Sequence, residues 1–545
     1  MRRFRSVVGV RRQIAVVRRS LGALAVVVAA NACEANVQDA PVSFGVPQAT
    51  PFPYDNNHRQ SETTIVTTSS FLFPLLVVAY NDSSLAVKNP TADYTTGTYQ
   101  RGWTELGWST SADSGVTWDY RGQVSPFLVN GGTNNSGASA LTGDPSAAVD
   151  PHTTSVVYLA SMGVSDQAWN QASGGTNTIV FGANGISVNG FTATSPIELS
   201  DSLCVAKSSD GGISFTSAGC IRLGATGVAD RTSLTVDGNG FIWASSIRTP
   251  PGGNKASFGK VAVFRSVLPS DPTAFVEMPP PVANVYDPVL RRDLEGNVWI
   301  GAQGVPSADG DGSVWLQEFD IKKSMWVNFR DVALNCGKKV DRDTFPRFGF
   351  SAMRNAHPYD FDFGLDDAAT VGGVGTEVMR IAFEQTDPEN TTRHLIQVAQ
   401  YPLNLSACST SATTGPSSIS TTFGELGTQF MPSLNYAKRG VEPYWSLVYL
   451  TTAQVKDEFD QYIYPAGGRV VRNSNSQFPR EIGFTPLAPT DWYACLDGGY
   501  WGDYFGVTQV RDLNGSWWNV SAFTSSRPAP PCVGPGPQHV AASRW

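Results

Sequence analysis

Charged residues and histidines are scarce in this chain of 545 residues. Asp, Glu, Lys and Arg together make up only 16% of it, which is low for a soluble protein. The five histidines are scattered, and no His-x-x-x-His, Cys-x-x-Cys or phosphate-binding glycine loop occurs. The formal net charge is −8, which argues against a nucleic-acid partner bound through its phosphates. The common zinc and nucleotide sites are therefore not predicted.

Long apolar runs are also missing, which argues against a transmembrane helix. The most apolar stretch covers residues 21–30 and is too short to span a bilayer. It follows a basic segment and precedes Ala30-Asn31-Ala32, which fits a small-residue cleavage site. The arginines of the basic segment are Arg2, Arg3, Arg5, Arg11, Arg12, Arg18 and Arg19. This order predicts an export signal, and hence a secreted, periplasmic or surface-attached protein.

Cys33 directly follows the predicted cleavage site. It also fits a loose bacterial lipobox, although the usual leucine is missing, so a lipid anchor at Cys33 is one alternative and a free exported protein the other. We assign residues 1–33 to the export signal, 34–57 to a polar, proline-containing linker, and 58–545 to a single domain. Membrane contact is expected only through that anchor.

Six cysteines follow Cys33, an even number that suits an oxidising compartment. Their proximity in the sequence favours the pairs Cys204–Cys220, Cys336–Cys408 and Cys495–Cys532. Other connectivities, or buried free thiols, remain open at this point.

Helical periodicity is nearly absent, and short β-rich runs alternate with Gly, Asn, Asp and Pro turns, which is typical of an all-β fold. A unit recurs in which a polar or acidic start leads into a strand, a turn and an aromatic-rich partner strand. We count seven starts, at Glu62, Asp144, Asp230, Asp287, Phe345, Met431 and Asp503. A small antiparallel sheet buries both faces only when its neighbours pack radially around it. The repeat therefore predicts a seven-bladed β-propeller, with six or eight blades as alternatives because the fifth unit is irregular.

The partner strands are predicted at residues 75–80, 156–160, 241–245, 298–302, 379–383, 445–449 and 517–523. The C-terminal residues 539–545 are expected to pair back into an early blade and to close the ring. The acidic-aromatic segment 360–367 of the irregular fifth unit is interpreted as a solvated loop, with a Ca²⁺ loop or a lid over a cleft as alternatives.

Two octapeptides match the pattern S-x-D-x-G-x-T-W fully or nearly so. The first contains Ser111, Asp113, Gly115 and Trp118; the second contains Ser208, Asp210, Gly212 and Phe215. An Asp in a tight turn accepts backbone N–H groups, and glycine adopts the conformation that a Cβ would forbid. Both segments are therefore predicted to be structural turns at the outer edges of blades.

On these motifs the sequence from about residue 56 onward resembles the Asp-box (BNR repeat) sialidase-like family of secreted bacterial β-propellers. The resemblance implies a propeller fold and an extracellular glycan as substrate. It also implies a clamp of three arginines around the substrate carboxylate, a tyrosine nucleophile activated by a glutamate, and an aspartate as acid/base.

The arginine phrase of that family is not present at the first inner strand, where Ser61 stands in place of Arg. Arg59 lies two residues earlier. Candidate substrate-binding arginines near other strand starts are Arg231, Arg347 and Arg439. Tyr504 and Tyr436 are candidate nucleophiles, with Glu384 as a partner.

Five unit starts are acidic, and the starts of inner strands meet at one mouth of a propeller channel. The candidate catalytic carboxylates are Glu62, Asp144, Asp230, Asp287 and Asp503. Three interpretations compete: local caps and ion pairs, a bound Ca²⁺ or similar hard cation, and a catalytic acid of raised pKa facing an ionised partner. No other cofactor is expected.

Two functions follow. The first is an exported glycoside hydrolase that acts on extracellular glycans without the usual arginine phrase. The second is a non-catalytic propeller that binds a glycan or a protein at the cell surface.

Overall fold

The computed structural model describes the part of the chain that follows. These residues are 38–41, 60–69, 73–82, 92–93, 97–126, 137–182, 184–188, 191–223, 228–249, 260–278, 285–304, 314–331, 359–371, 374–387, 390–402, 418–420, 429–439, 442–451, 455–456, 462–463, 467–472, 480–486, 506–526 and 538–544. Asp39–Arg544 form one compact unit, to which the description below applies.

Strands dominate this unit. In its first half they are β1 (Gln38–Pro41), β2 (Gln60–Ser69), β3 (Pro74–Asp82), β4 (Ala92–Asp93), β5 (Thr98–Gln100), β6 (Leu106–Ser111), β7 (Asp119–Gln123), β8 (Ala138–Val149), β9 (Val157–Ser165), β10 (Thr178–Val180), β11 (Ile186–Val188), β12 (Phe191–Ala193), β13 (Ser202–Ser208), β14 (Thr216–Arg222), β15 (Val228–Val236), β16 (Ile242–Thr249), β17 (Lys260–Leu268) and β18 (Asp271–Glu277). One α-helix, α1 (Asp166–Ser173), and one 3₁₀ turn (Pro196–Leu199) lie among them.

The second half of the described chain contains strands only. They are β19 (Val285–Arg292), β20 (Val298–Gly304), β21 (Val314–Asp320), β22 (Met325–Asp331), β23 (Tyr359–Val371), β24 (Val374–Asp387), β25 (Asn390–Pro402), β26 (Ser418–Ser420), β27 (Gln429–Arg439), β28 (Glu442–Thr451), β29 (Val455–Lys456), β30 (Tyr462–Ile463), β31 (Gly467–Arg472), β32 (Arg480–Pro486), β33 (Gly506–Arg511), β34 (Trp517–Ser526) and β35 (Gln538–Arg544).

The strands form an all-β propeller. Five regular four-stranded blades have the orders β2-β3-β6-β7, β8-β9-β13-β14, β15-β16-β17-β18, β19-β20-β21-β22 and β23-β24-β25-β26. A further four-stranded sheet has the order β33-β34-β35-β1 and contains the first and last described strands. Strands β27 and β28 form an antiparallel pair. The innermost strands contact one another in the cyclic order β2, β8, β15, β19, β23, β27, β33 and back to β2. The prediction of a propeller is confirmed, but the described residues form five regular blades rather than the predicted seven.

The second strand of each unit lies inside its sheet and packs on both faces, so the middle of its sequence is largely apolar. All nine residues of β9 are buried, and in β3 only Pro74 and Asn81 are partly exposed. Five of the seven predicted partner strands fall within second strands, and the other two begin one residue before β9 and β16. This confirms the hairpin repeat.

Two predicted elements are corrected. The inner strand of the fifth unit is β23, which contains the acidic-aromatic segment, so that segment is not a loop. Phe345, its predicted start, lies outside the described residues. The C-terminal strand β35 lies between β34, with which it pairs through Val520–Arg544 and Ser521–Ser543, and the N-terminal strand β1. It therefore pairs with the start of the described chain, but within the last sheet and not within an early blade as expected.

A small subdomain is inserted between β9 and β13. It starts beside the first residue of β8, because Ala138 and Ser165 are register partners. Ser165 caps α1 by accepting from the backbone N–H of Ala168. Trp169 of α1 is fully buried in an apolar cluster with Trp103, which precedes β6. The insertion therefore lies on the face where the inner strands begin.

Cys204 and Cys220 are register partners on β13 and β14 and form a disulfide. This confirms the first predicted pair; the other two pairs, and Cys33, lie outside the described residues. No described helix is long and apolar enough to cross a membrane.

Candidate functional site

A β-bulge recurs near the start of five inner strands. At each bulge a residue other than glycine adopts a left-handed backbone conformation, with φ between 51° and 59°. These residues are Glu62, Asp144, Arg231, Asp287 and Met431. The strand register shifts at the same points. Such a conformation costs about 1–2 kcal/mol per residue, so surrounding contacts must hold it.

Side chains of the preceding blade hold three of these bulges. The backbone N–H of Asp144 donates to Oδ1 of Asn81 at 2.8 Å. The N–H of Arg231 donates to Oδ2 of Asp144 at 2.7 Å, and the N–H of Met431 donates to Oε1 of Glu384 at 2.8 Å. The bulges therefore join neighbouring blades as well as interrupting the regular pairing of the inner strands.

The bulge residues surround one mouth of a central channel. Each immediately precedes a residue that lines a cavity of 380 Å³ between the inner strands; these lining residues are Thr63, Pro145, Thr232, Pro288 and Pro432. The structure thus brings Glu62, Asp144 and Asp287 to the mouth, as the repeat predicts. In the third unit the equivalent residue is Arg231 rather than Asp230, so the predicted register is wrong there by one residue.

Three carboxyl groups form a hydrogen-bonded row at this mouth. Oε2 of Glu62 accepts from Nδ2 of Asn81 at 2.7 Å, and the Glu62 and Asp144 carboxyls share a hydrogen bond. Asp144 also bonds to the carboxyl of Asp230. Glu62 and Asp144 are buried, with 2% and 8% exposure, whereas Asp230 is exposed. Asp230 is therefore the member of the row that a solute in the mouth meets first.

Crowding changes the proton affinity of the row. Burial, followed by the charge of Glu62, raises the pKa of Asp144 well above its ordinary value. The surrounding protein atoms also raise the pKa of Asp230, although its outer surface stays exposed, and the neighbouring Arg231 only partly offsets this. The row therefore retains protons that isolated carboxylates would lose, as expected for carboxyl groups that share protons.

Arg231 and Asp287 form a buried ion pair behind the row. Nη1 of Arg231 lies 2.6 Å from Oδ1 of Asp287, and the two side chains are 7% and 0% exposed. The backbone carbonyl of Asp287 accepts from the hydroxyl of Tyr359 at 2.9 Å. The guanidinium predicted to bind a substrate carboxylate is thus engaged with a protein carboxylate.

The channel wall contains the acidic pair of β23. Asp360 accepts from Nη2 of Arg291 at 2.6 Å and from the backbone N–H of Leu434 at 2.8 Å. Asp362 accepts from the N–H of Tyr436 at 2.7 Å. Burial raises the pKa of Asp362 to about 6. These aspartates join inner strands β23 and β27, so the segment predicted as a loop is part of the wall.

The predicted Tyr436–Glu384 pair takes other partners. Glu384 holds the bulge at Met431, and the ring of Tyr436 lies 5.0 Å from that of Trp445. Several candidates lie outside the described residues and remain predictions: Arg59, Arg347, Asp503 and Tyr504. Among the described residues no group of three or more His, Cys, Asp or Glu side chains is placed to hold a metal ion.

The first predicted outer turn joins β6 to β7. Oδ1 of Asp113 accepts from the N–H of Val116 and Thr117 at 3.0 and 2.8 Å. Oγ of Ser111 accepts from the N–H of Gly115, whose φ is +92°. Burial alone would raise the pKa of Asp113, but hydrogen bonds from Thr117 and Ser111 outweigh it and lower the pKa.

The second turn joins β13 to β14 and repeats these bonds. Oδ1 of Asp210 accepts from the N–H of Ser214 at 3.0 Å. The ring of Phe215 packs edge-on against Trp108 at 5.4 Å, and the Trp108 indole donates to the carbonyl of Gly212 at 3.1 Å. Both turns lie between third and fourth strands, away from the channel mouth.

Sequence reasoning missed a recurring Asp–Trp contact in the hairpins between first and second strands. An aspartate there accepts from the indole N–H six residues later, at 2.9, 3.0 and 2.9 Å. The pairs are Asp237–Trp243, Asp293–Trp299 and Asp512–Trp518. The signal is an Asp at the start of each Gly- or Asn-containing turn and a Trp at the same distance after it.

No protein-family model matches the sequence, and no curated protein matches it. Solved structures similar to the chain include a protein of unknown function from Dyadobacter fermentans, with 10% identity, a TM-score of 0.40, and coverage of 94% of this chain and 99% of that one. A Penicillium chrysogenum α-L-arabinanase complexed with arabinobiose has 10% identity, a TM-score of 0.38 and coverage of 94% and 98%. A Trypanosoma rangeli sialidase in complex with sialic acid has 13% identity, a TM-score of 0.36 and coverage of 90% and 68%. The propeller assignment rests on the strand order of this chain.

Proposed function

We propose that this protein is a glycoside hydrolase whose proton donor is Asp230 at the channel mouth. The row of hydrogen-bonded carboxyls from Glu62 to Asp230 carries this proposal. A glycosidase needs a carboxylic acid that is still protonated near neutral pH and can reach the leaving oxygen. Asp230 is the candidate for this role, because its pKa is raised above the ordinary value of an aspartate and its side chain is exposed.

In the proposed reaction the Asp230 proton moves to the glycosidic oxygen, and the bond from that oxygen to the anomeric carbon breaks. A water oxygen then bonds to the anomeric carbon, and a water proton returns to the protein. Glu62 and Asp144 act as positioning residues, because their charges and hydrogen bonds set the proton affinity of Asp230. Asp503 and Tyr504, predicted for the same mouth, remain candidates for the second catalytic group.

The test is hydrolysis of a panel of 4-methylumbelliferyl glycosides by the full chain. Asp230→Asn is expected to lower kcat by about 10²–10⁴-fold, the usual contribution of a general acid. Asp119→Asn is the matched control, because this carboxylate is exposed on the outer strand β7. Turnover that survives Asp230→Asn would overturn the assignment. Binding on a glycan array without turnover of any glycoside would instead favour the non-catalytic alternative.

We also propose that the chain is exported. The basic and apolar N-terminal segments and the Cys204–Cys220 disulfide support this proposal, since disulfides persist in oxidising compartments. An anchor at Cys33 remains an alternative to a free form. We further propose that β27 and β33 begin a sixth and a seventh blade.

A further inference from the structure

Of the five bulge residues at the mouth, Arg231 is the one that carries a positive charge. An arginine in such a place would suit a sugar carboxylate, because guanidinium and carboxylate form two parallel hydrogen bonds. The preference of the mouth for charged or neutral sugars therefore depends on whether this guanidinium is available.

Arg231 is committed to Asp287. The Nη1–Oδ1 distance is 2.6 Å, and the Asp287 side chain has no exposed surface. The backbone of Arg231 is fixed as well, because its N–H donates to Asp144. A substrate carboxylate would have to displace Asp287 and leave a buried charge without its partner, which is strongly unfavourable.

Among the described bulge residues the other charged side chains are acidic, and Asp230 beside them is acidic too. With Arg231 neutralised by Asp287, the hydrogen-bonded row of Glu62, Asp144 and Asp230 is left facing the opening. Protons shared within the row reduce its charge without reversing its sign. Repulsion between a negatively charged ligand and these carboxyl groups lowers affinity more than the loss of one favourable contact does.

We propose that the mouth accepts neutral or amino sugars and rejects sugars that carry a carboxylate. This inference rests on the proposed glycosidase function and names its substrate class. It departs from the carboxylate clamp implied by the sequence resemblance, because Arg231, which would contribute to that clamp, is paired within the protein.

The experiment compares 4-methylumbelliferyl glycosides that share one ring configuration and differ in one charged substituent: glucoside, glucuronide (C6 carboxylate) and glucosaminide (C2 amine), and the same three forms of galactose. We expect the neutral or amino member of an accepted series to exceed its carboxylate member at least tenfold in kcat/KM. A carboxylate sugar preferred over its neutral match would overturn the inference while leaving the hydrolase intact. Absence of hydrolysis for a broad panel of glycosides would overturn the proposed function itself.

The variant Asp287→Asn removes the charge that occupies Arg231 and keeps the shape of the side chain. This variant is expected to reduce the ratio of kcat/KM for neutral over carboxylate sugars at least tenfold, whereas Asp119→Asn leaves that ratio unchanged. If Asp287→Asn does not fold, the wild-type ratio is measured at rising NaCl concentration, where screening should reduce it. A ratio that neither the variant nor salt changes would contradict a charge-based origin.

Discussion

Nη1 of Arg231 lies 2.6 Å from Oδ1 of Asp287, and both side chains are buried at the mouth of the propeller channel. Each residue sits on a bulge with positive φ, on adjacent inner strands β15 and β19. The pair thus connects two strained positions across a blade boundary, and its contribution to stability is separable from any catalytic role of the mouth.

Replacing one partner of this pair should destabilise the fold strongly. We expect Asp287→Ala to lower the free energy of unfolding by about 3–5 kcal/mol, because it leaves a buried guanidinium without its partner. The double variant Arg231→Met/Asp287→Leu should lose less than the single variant. Urea unfolding followed by tryptophan fluorescence measures both, and a double variant less stable than Asp287→Ala would contradict the pairing.

The outer turn at Asp113 should contribute to stability and leave activity unchanged. Asp113→Ala removes the acceptor of two backbone N–H groups and of the Thr117 hydroxyl. We expect a loss of about 1–3 kcal/mol in urea unfolding, with kcat/KM unaltered, because the turn lies on outer strands. Asp210→Ala should behave alike. A drop in kcat/KM for folded variants would disagree with a purely structural role.

The contribution of each Asp–Trp contact to the stability of the fold should increase with the burial of its two side chains. Trp243 and Asp237 are 0% and 1% exposed, whereas the Trp518–Asp512 contact is partly buried. Phenylalanine keeps the ring but removes the indole N–H, so Trp243→Phe leaves a buried carboxylate short of a donor. We expect Trp243→Phe to be the more destabilising of the two substitutions. Equal unfolding midpoints for Trp243→Phe and Trp518→Phe would argue against the lost hydrogen bond as the cause of the destabilisation.

Two glutamates on blades four and five should make stability depend on pH. Burial, with nearby Asp293 among the further causes, raises the pKa of Glu318 and of Glu377 to about 7. A raised carboxyl pKa means that the folded state binds protons more tightly, so this stabilisation is complete below about pH 4.5 and is lost as pH rises towards 7. Glu318→Gln/Glu377→Gln should flatten that decline in Tm between pH 4.5 and 7. If the decline in Tm with pH is the same in the double variant, groups other than these two glutamates cause it.

Local patterns in the sequence were sufficient for the hairpins, the outer turns and the Cys204–Cys220 disulfide. Each depends on residues close together in the chain, such as the fixed spacing of Ser111, Asp113 and Gly115. The convergence of Glu62, Asp144 and Asp287 also followed from the repeat, because equivalent positions in a propeller occupy equivalent places.

Features that depend on neighbouring blades could not be predicted in the same way. A bulge adds one residue to a strand without a sequence signature, so Asp230 was assigned the place that Arg231 holds. The Arg231–Asp287 pair joins two repeat units, and neither residue type indicates the other. Asp360 and Asp362 resemble loop residues by composition, yet they accept backbone N–H groups from the neighbouring inner strand.

The pH profile of kcat/KM tests the central claim most directly, by comparing wild type with Glu62→Gln on any glycoside that the protein hydrolyses. The negative charge of Glu62 raises the pKa of Asp230, and a general acid must be protonated to act. Removing that charge should therefore lower the pKa of Asp230 and move the alkaline limb of the profile to lower pH, while Asp119→Asn leaves it in place. An alkaline limb that stays unchanged in folded Glu62→Gln, together with turnover retained in Asp230→Asn, would contradict the assignment of Asp230 as the acid.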